Sequence, residues 1–310
     1  MSLPILLIGK NGQIGAELLS LLPRFGQVVA LGRTQLDLAK PDDICRAIRD
    51  VRPRLIVNAA AYTAVDQAED DESAARAVNA DAPGLMAEEA KKLGAALVHY
   101  STDYVFDGLK CSPYEETDPP NPLNVYGRTK LAGEQAIQAT GAPHLIFRTA
   151  WVYSTRGNNF VLAILRQATQ REELRVASDQ TGSPAWCREL AGATCRILER
   201  LADPHRDTFS LAEVSGIYHM TAAGETNRCE FARAILEEAA QAPPQFAWLA
   251  SMTGGKPIMA RRVTPITSAE HPSRAARPTY SVLSNVRLER FFRFALPLWR
   301  TQLHSAFSGG

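Results

Sequence analysis

Cysteine is scarce and scattered: five in 310 residues, at 45, 111, 187, 195 and 229, with no close pair. That spacing argues against a disulfide framework and against a Cys/His metal site, and reduced thiols in a cytoplasmic protein are the simplest reading. The six histidines are equally dispersed, so no structural metal is expected. An excess of either charge is also lacking, since 34 Lys and Arg face 33 Asp and Glu. With no net field, neither nucleic acid nor an acidic membrane is an expected partner. No apolar run approaches the ~20 residues that cross a bilayer. The opening Met1-Ser2-Leu3-Pro4 leads straight into a strand-like run, without the charged start and apolar stretch of an export leader. What remains is an ordinary globular composition, 45% hydrophobic and 22% charged.

The first half alternates short apolar runs with amphipathic stretches, the pattern of parallel βαβ units. Strands are expected at Ile5–Ile8, Gln27–Leu31, Leu55–Asn58, Ala96–Tyr100 and His144–Arg148, with helices at Ile14–Leu22, Pro41–Val51, Ser73–Leu93 and Tyr126–Ala139. Further on, Phe160–Thr169, Arg188–Leu201 and Asn227–Ala240 read as helices and Gly216–Met220 as a strand. Lys256–Tyr280, rich in Pro and Arg with little periodicity, reads as loops. The fold class expected is α/β: a Rossmann-type doubly wound parallel sheet over 1–152, with part of 185–222 returning to it. A smaller C-terminal α/β domain, formed by 153–184 and 223–310, would bind substrate.

After the first strand comes Gly9-Lys10-Asn11-Gly12-Gln13-Ile14-Gly15, opening a helix. Glycines let the backbone turn sharply and approach a pyrophosphate, while the helix N-terminus faces the anion. The spacing differs from the single-gap loop of many dehydrogenases, and a glycine triplet alone is weak. Its place between strand and helix is what points to a dinucleotide. The second strand ends in Leu31-Gly32-Arg33, where an NAD site usually carries an acid for the ribose 2′-hydroxyl. Arg33 there favours a 2′-phosphate, hence NADPH, with NADH use left open. Asp37 and Leu38 would border the adenine, and the small residues Ala60 and Ala61 let a cofactor lie against backbone.

Tyr126 and Lys130 stand at i and i+4, on one face of a helix. A free phenol is a poor acid at neutral pH. A fixed ammonium about 4 Å away contributes about 4 kcal/mol at an effective dielectric of 20, sufficient to bring it near neutrality. On its own such a pair is more often an exposed helix pair. It gains weight from Thr102, a hydroxyl at a strand's carboxyl end beside the expected crevice, able to bond a substrate carbonyl.

In this order the motifs resemble the extended short-chain dehydrogenase/reductases. Longer strings, Val57–Asp66, His99–Phe106, Pro122–Gly127, Phe147–Tyr153 and Gly157-Asn158-Asn159-Phe160, resemble the dTDP-4-dehydrorhamnose reductases among them. The resemblance runs from about residue 3 to 300 and implies NADPH-dependent reduction of the 4-keto group of a dTDP-linked 6-deoxy-hexose. It implies Tyr126 as proton donor, and Lys130 as ligand of the nicotinamide ribose that also lowers the Tyr126 pKa. Thr102 would tune the transfer and, with Asp103, contact the sugar, while Trp151 would pack against it. Asn159 joins this substrate set. Asn11, Gly12, Gln13, Asp37, Leu38, Ala61, Tyr62 and Thr63 match the cofactor-lining stretches. A dehydratase's second carboxylate is missing, since Tyr104 follows Asp103.

Some of these reductases dimerise through magnesium held by glutamates. Glu17 and Glu189 match two positions, but Arg300 follows Trp299 where a cation opposes metal, so the magnesium link is not expected; monomer or homodimer both stay open. The substrate diphosphate needs compensating charge, and of Lys256, Arg261, Arg262, Arg274 and Arg277, the last fits the family string best. Two other readings remain: a non-catalytic NADP-binding regulatory subunit on the same fold, and a related nucleotide-sugar epimerase or reductase.

Overall fold

The computed structural model describes residues 4–203, 208–242 and 246–309; Met1–Leu3, read above for a leader, lie outside them. Six strands form one parallel sheet: β1 Ile5–Ile8, β2 Val28–Leu31, β3 Leu55–Asn58, β4 Ala96–Thr102, β5 His144–Thr149 and β6 Gly216–His219. Their order, β6-β5-β4-β3-β1-β2, reverses direction at β1. In such sheets ligands bind beyond the strands' carboxyl ends at that switch point.

The strands' nearly unbroken apolar runs have a simple cause, because alternate side chains enter two separate cores. Ile5, Leu7, Val57, Val98 and Phe147 pack with α1 (Gln13–Leu21) and with α6 (Cys187–Leu201) on one face. Leu6, Ile8, Ile56, Leu97 and Ile146 meet α2 (Pro41–Val51), α3 (Ala82–Leu93) and α4 (Val125–Thr140) on the other. A third core joins α5 (Phe160–Ala168), α7 (Arg228–Gln241) and the helix Trp299–Phe307.

Two segments depart from the sequence reading. The helix expected over 73–93 is broken into Glu72–Arg76, a π turn Ala77–Asp81, and α3. Pro83 has no N–H to give the carbonyl of Asn79, and a wider turn accommodates that loss. The freed carbonyl is covered by α4, where a Cβ on Gly133 would come within 2.1 Å of it. The stretch expected to be all loop contains a strand, Arg262–Ile266, pairing in parallel with Glu173–Ala177. Pro265 and the lack of alternation hid it, since the partner strand is 89 residues away in register (Arg262 opposite Glu173).

Candidate active site

A cleft of about 1410 Å³ opens over the carboxyl end of the sheet. That exceeds the 300–1,000 Å³ of most single-ligand pockets and leaves room for two large ligands. Its walls bring together the expected catalytic, cofactor and substrate residues except Gly15, while Lys256, Arg261, Arg262 and Arg274 do not line it.

The glycine loop is built for close approach. Gly9 sits at φ +88, and a Cβ there would come within 2.7 Å of the Ala60 backbone; a Cβ on Gly15 would come within 2.0 Å of the Gly9 carbonyl. Gly12 caps α1 without a side chain, so nothing of its own covers the first-turn amides. That cradle fits a pyrophosphate. Arg33 is exposed on the cleft wall and forms no ion pair among the described residues. Asp37 accepts from the Ala39 amide at 3.1 Å, which shapes the turn beside Leu38. The Ala61–Thr63 stretch is held from behind. Asn79, in the π turn, accepts from the Tyr62 amide at 2.8 Å and donates to the Tyr62 carbonyl at 3.1 Å and to Thr129 Oγ1 at 3.2 Å.

Tyr126 lies in the first turn of α4, which is capped by Asn124 through the Gly127 amide at 2.8 Å. Its ring meets Tyr104 edge-on, with centroids 5.7 Å apart. The sequence expectation for its acidity needs correction. Burial pushes the Tyr126 phenol up, contact with the Thr102 hydroxyl opposes this, and the nearby Asp103 carboxyl and Tyr104 phenol add to the rise. Lys130 does not bear on it, because Lys130 Nζ is spent on the Tyr100 carbonyl at 2.6 Å and His99 Nε2 at 3.1 Å. Lys130 is itself 1% exposed, and burial brings it down to about 8 against the opposing charge of Glu134.

Thr102 ends β4 and caps the short turn after it, accepting from the Tyr104 amide at 3.2 Å. Its hydroxyl donates to Asp103 Oδ1 at 3.1 Å. Asp103 is 2% exposed, and burial pushes its carboxyl up to about 6 against Ser281, Thr102 and the charge of Arg228. Its other oxygen, Oδ2, is buried without a hydrogen-bond partner. Asp103 lines the cleft, although Oδ2 itself is closed to solvent.

Three expectations for the substrate side are modified. Asn159 caps α5 through the Leu162 amide at 3.2 Å, and its Nδ2 is committed to Gln13 Oε1 and the Ser154 carbonyl, both at 3.0 Å. It therefore braces Gln13 of the cofactor loop, with no donor left for a sugar. Arg277 is already paired with Asp66 at 3.0 and 2.7 Å, and Arg274 with Asp70. The arginine missed from the sequence is Arg228, at the start of α7. It lies 3.5 Å from the Trp151 ring centroid, is half-buried, and has no salt bridge among the described residues. Burial pushes its guanidinium down, while Tyr104 and Asp103 oppose that. Trp151 holds φ +46, an uncommon value for a bulky residue and a sign of a constrained position. Nothing in the spacing of Thr226-Asn227-Arg228 marks it; only the tertiary fold brings α7 to the cleft. Glu17 pairs with Arg156, Glu189 with Arg196 at 3.7 Å, and Arg300 with Glu237.

The model of the family described as RmlD substrate binding domain matches residues 3–309. The chain belongs to this family. It is 46% identical to a dTDP-4-dehydrorhamnose reductase of Burkholderia thailandensis over 96% of the chain and 95% of that protein. It is 39% identical to the Escherichia coli K12 reductase of the same name, covering 96% and 94%. A crystal structure of a Bacillus anthracis dTDP-4-dehydrorhamnose reductase in complex with NADP superposes with TM-score 0.85 at 31% identity, covering 99% of each chain. A Thermus thermophilus UDP-glucose 4-epimerase in complex with NAD shares the fold alone, with TM-score 0.75 at 20% identity. These relatives place the chain among oxidoreductases. No helix among the described residues is long and apolar enough to cross a membrane.

Proposed function

We propose that this oxidoreductase reduces the 4-keto group of dTDP-4-dehydro-β-L-rhamnose to the alcohol, with NADPH as reductant and Tyr126 as proton donor. The observation that carries the reading is the meeting in one cleft of a pyrophosphate cradle with Thr102, Asp103 and Tyr126. When bound, NADPH supplies hydride to the carbonyl carbon. Gly9, Gly12 and the α1 N-terminus hold its pyrophosphate, and Arg33 takes the 2′-phosphate. Lys130 meets the ribose by exchanging its present partners, the Tyr100 carbonyl and His99.

The residues of the chain then divide the remaining work. Tyr126 gives its hydroxyl proton to the sugar oxygen as negative charge develops there. Its high pKa keeps it protonated and ready, and the drop needed for transfer would come from Thr102 and from Lys130 once it held the nicotinamide ribose. Asp103, with Thr102, contacts the sugar, and Arg228, backed by Trp151, faces the negative end of the substrate. Residues 1–152 and the returning part of 185–222 serve the cofactor, and 153–184 with 223–310 the sugar nucleotide.

The test follows NADPH absorbance with enzymatically generated dTDP-4-dehydrorhamnose. Oxidation by the wild type, and a fall of ~100-fold or more in Tyr126→Phe with NADPH affinity kept, is the expected outcome. Confirmed cofactor binding without oxidation would instead make the chain a binding subunit. Retention of the cofactor through the cycle would make it an epimerase.

A further inference from the structure

Behind Lys130 runs a buried polar chain that the reaction chemistry does not use. The Ala60 amide donates to Asn58 Oδ1 at 3.1 Å; Asn58 Nδ2 meets His99 Nδ1 at 3.0 Å; His99 Nε2 meets Lys130 Nζ at 3.1 Å. Asn58 and His99 are fully buried and Lys130 is 1% exposed, so no water can correct a mismatched partner. A backbone N–H has one polarity only. It fixes the Asn58 amide with oxygen toward Ala60 and nitrogen toward His99, because the flipped amide would set N–H against N–H. His99 Nδ1 must then accept. A neutral imidazole carries one N–H, so that proton sits on Nε2 and points at Lys130.

We infer that His99 is a positioning residue that sets the proton state of Lys130: held as its Nε2–H tautomer by Asn58, it demands an acceptor and so favours the neutral amine. The amine keeps a hydrogen for the Tyr100 carbonyl at 2.6 Å and offers its lone pair to Nε2–H. An ammonium there would set an N–H of its own against the Nε2–H of His99. The imidazolium alternative fails twice, since it would face Asn58 Nδ2 with a second N–H and carry charge in a fully buried site. Burial lowers the basicity of both Lys130 and His99, in the same sense as this geometry.

The other groups around Lys130 do not reverse the argument. Glu134, one turn on, favours the ammonium but is already spent on Arg148 at 2.7 Å and on the Ser101 hydroxyl. Tyr126 lies one turn back with its phenol held protonated, and the Tyr100 hydroxyl points away to Thr194 at 2.6 Å. The proton state of Lys130 matters to turnover only on the reductase reading above, whereas the tautomer of His99 is a property of the free chain.

Two measurements on the full-length, ligand-free protein test this. Long-range proton–nitrogen NMR, with His99 assigned by loss of its signals in His99→Gln, should show a bare Nδ1 and a protonated Nε2 at about pH 9. A protonated Nδ1 would overturn the inference. In parallel, the titration of Lys130 by carbon NMR should move upward by roughly one pH unit or more in His99→Gln, whose amide can present its oxygen to the ammonium. An unchanged or lowered titration would overturn it as well. If His99→Gln fails to fold, the histidine pattern of the wild type, with Lys130→Met identifying the coupled ring, decides alone. Neither measurement uses cofactor or substrate, so a failed reductase assay leaves both standing.

Discussion

Replacing Asp103 by Asn should stabilise the fold while it damages the reaction, and the gain should depend on pH in a way the structure specifies. The carboxyl ionises near 3.8 when exposed and near 6 in the folded cleft. Below the first value both states are protonated and the residue contributes nothing. As pH rises from about 4 to 6 the unfolded chain releases its proton and the folded one resists, so stability falls across that window and the penalty is complete above it. The difference corresponds to about 3 kcal/mol at neutral pH, and with Asp103 2% exposed little of it is lost to solvent screening. The amide keeps its oxygen for Thr102 and exchanges one unpartnered atom, Oδ2, for another, so it adds no new unsatisfied group. Urea unfolding of both proteins from about pH 4 to 7.5 should therefore give curves that coincide at the acid end and separate toward neutrality, with the variant more stable. NADPH oxidation by the variant should fall, because an amide nitrogen cannot accept the sugar hydroxyl. A variant no more stable at pH 7 than at pH 4, or less stable throughout, would refute the reasoning that the acid is stored desolvated for a ligand.

Arg33→Ser should lower the preference for NADPH over NADH by about tenfold or more, the worth of one charge-assisted phosphate contact, as read from the ratio of kcat/KM for the two cofactors. Arg228→Met should keep contact with Trp151 while removing charge. KM for the nucleotide sugar should rise by about tenfold with kcat little changed, and an unaltered KM would place the diphosphate elsewhere. Glu134→Leu strands the buried Arg148, whose side chain is 3% exposed. A loss of about 3–5 kcal/mol in urea unfolding is expected.

The sheet was legible because its strands sit between two helical layers and read as plain apolar runs, and the cofactor loop because glycine is required at definite points. Tyr126 and Lys130 were found by spacing along one helix. Arg228 was not, since its place beside Trp151 depends on how α7 packs against the rest of the chain. The pairing of Arg277 was hidden for a related reason: a basic residue in a loop says nothing of the acid, here Asp66, that the fold brings to it. Lys130 lines the cleft with Tyr126, but its amine is held by the Tyr100 carbonyl and His99. A distance along a helix gives proximity to Tyr126, whereas the direction of the Lys130 amine is decided by β4.

That last point exposes how the catalytic helix is held in register. In β4, His99 and Ser101 are two residues apart and point to one face, roughly 6.6 Å from each other. In α4, Lys130 and Glu134 are four residues apart and also share a face, about 6 Å along the axis. The repeats match, and the pairs meet: His99 with Lys130 at 3.1 Å, Ser101 with Glu134. Sliding α4 by one residue would break both buried pairs together, along with the Arg148 contact to Glu134. The same register sets Tyr126, one turn before Lys130, beside Thr102 at the strand's end. These buried pairs thus fix where Tyr126 stands, through polar contacts that apolar packing alone would leave free to slip.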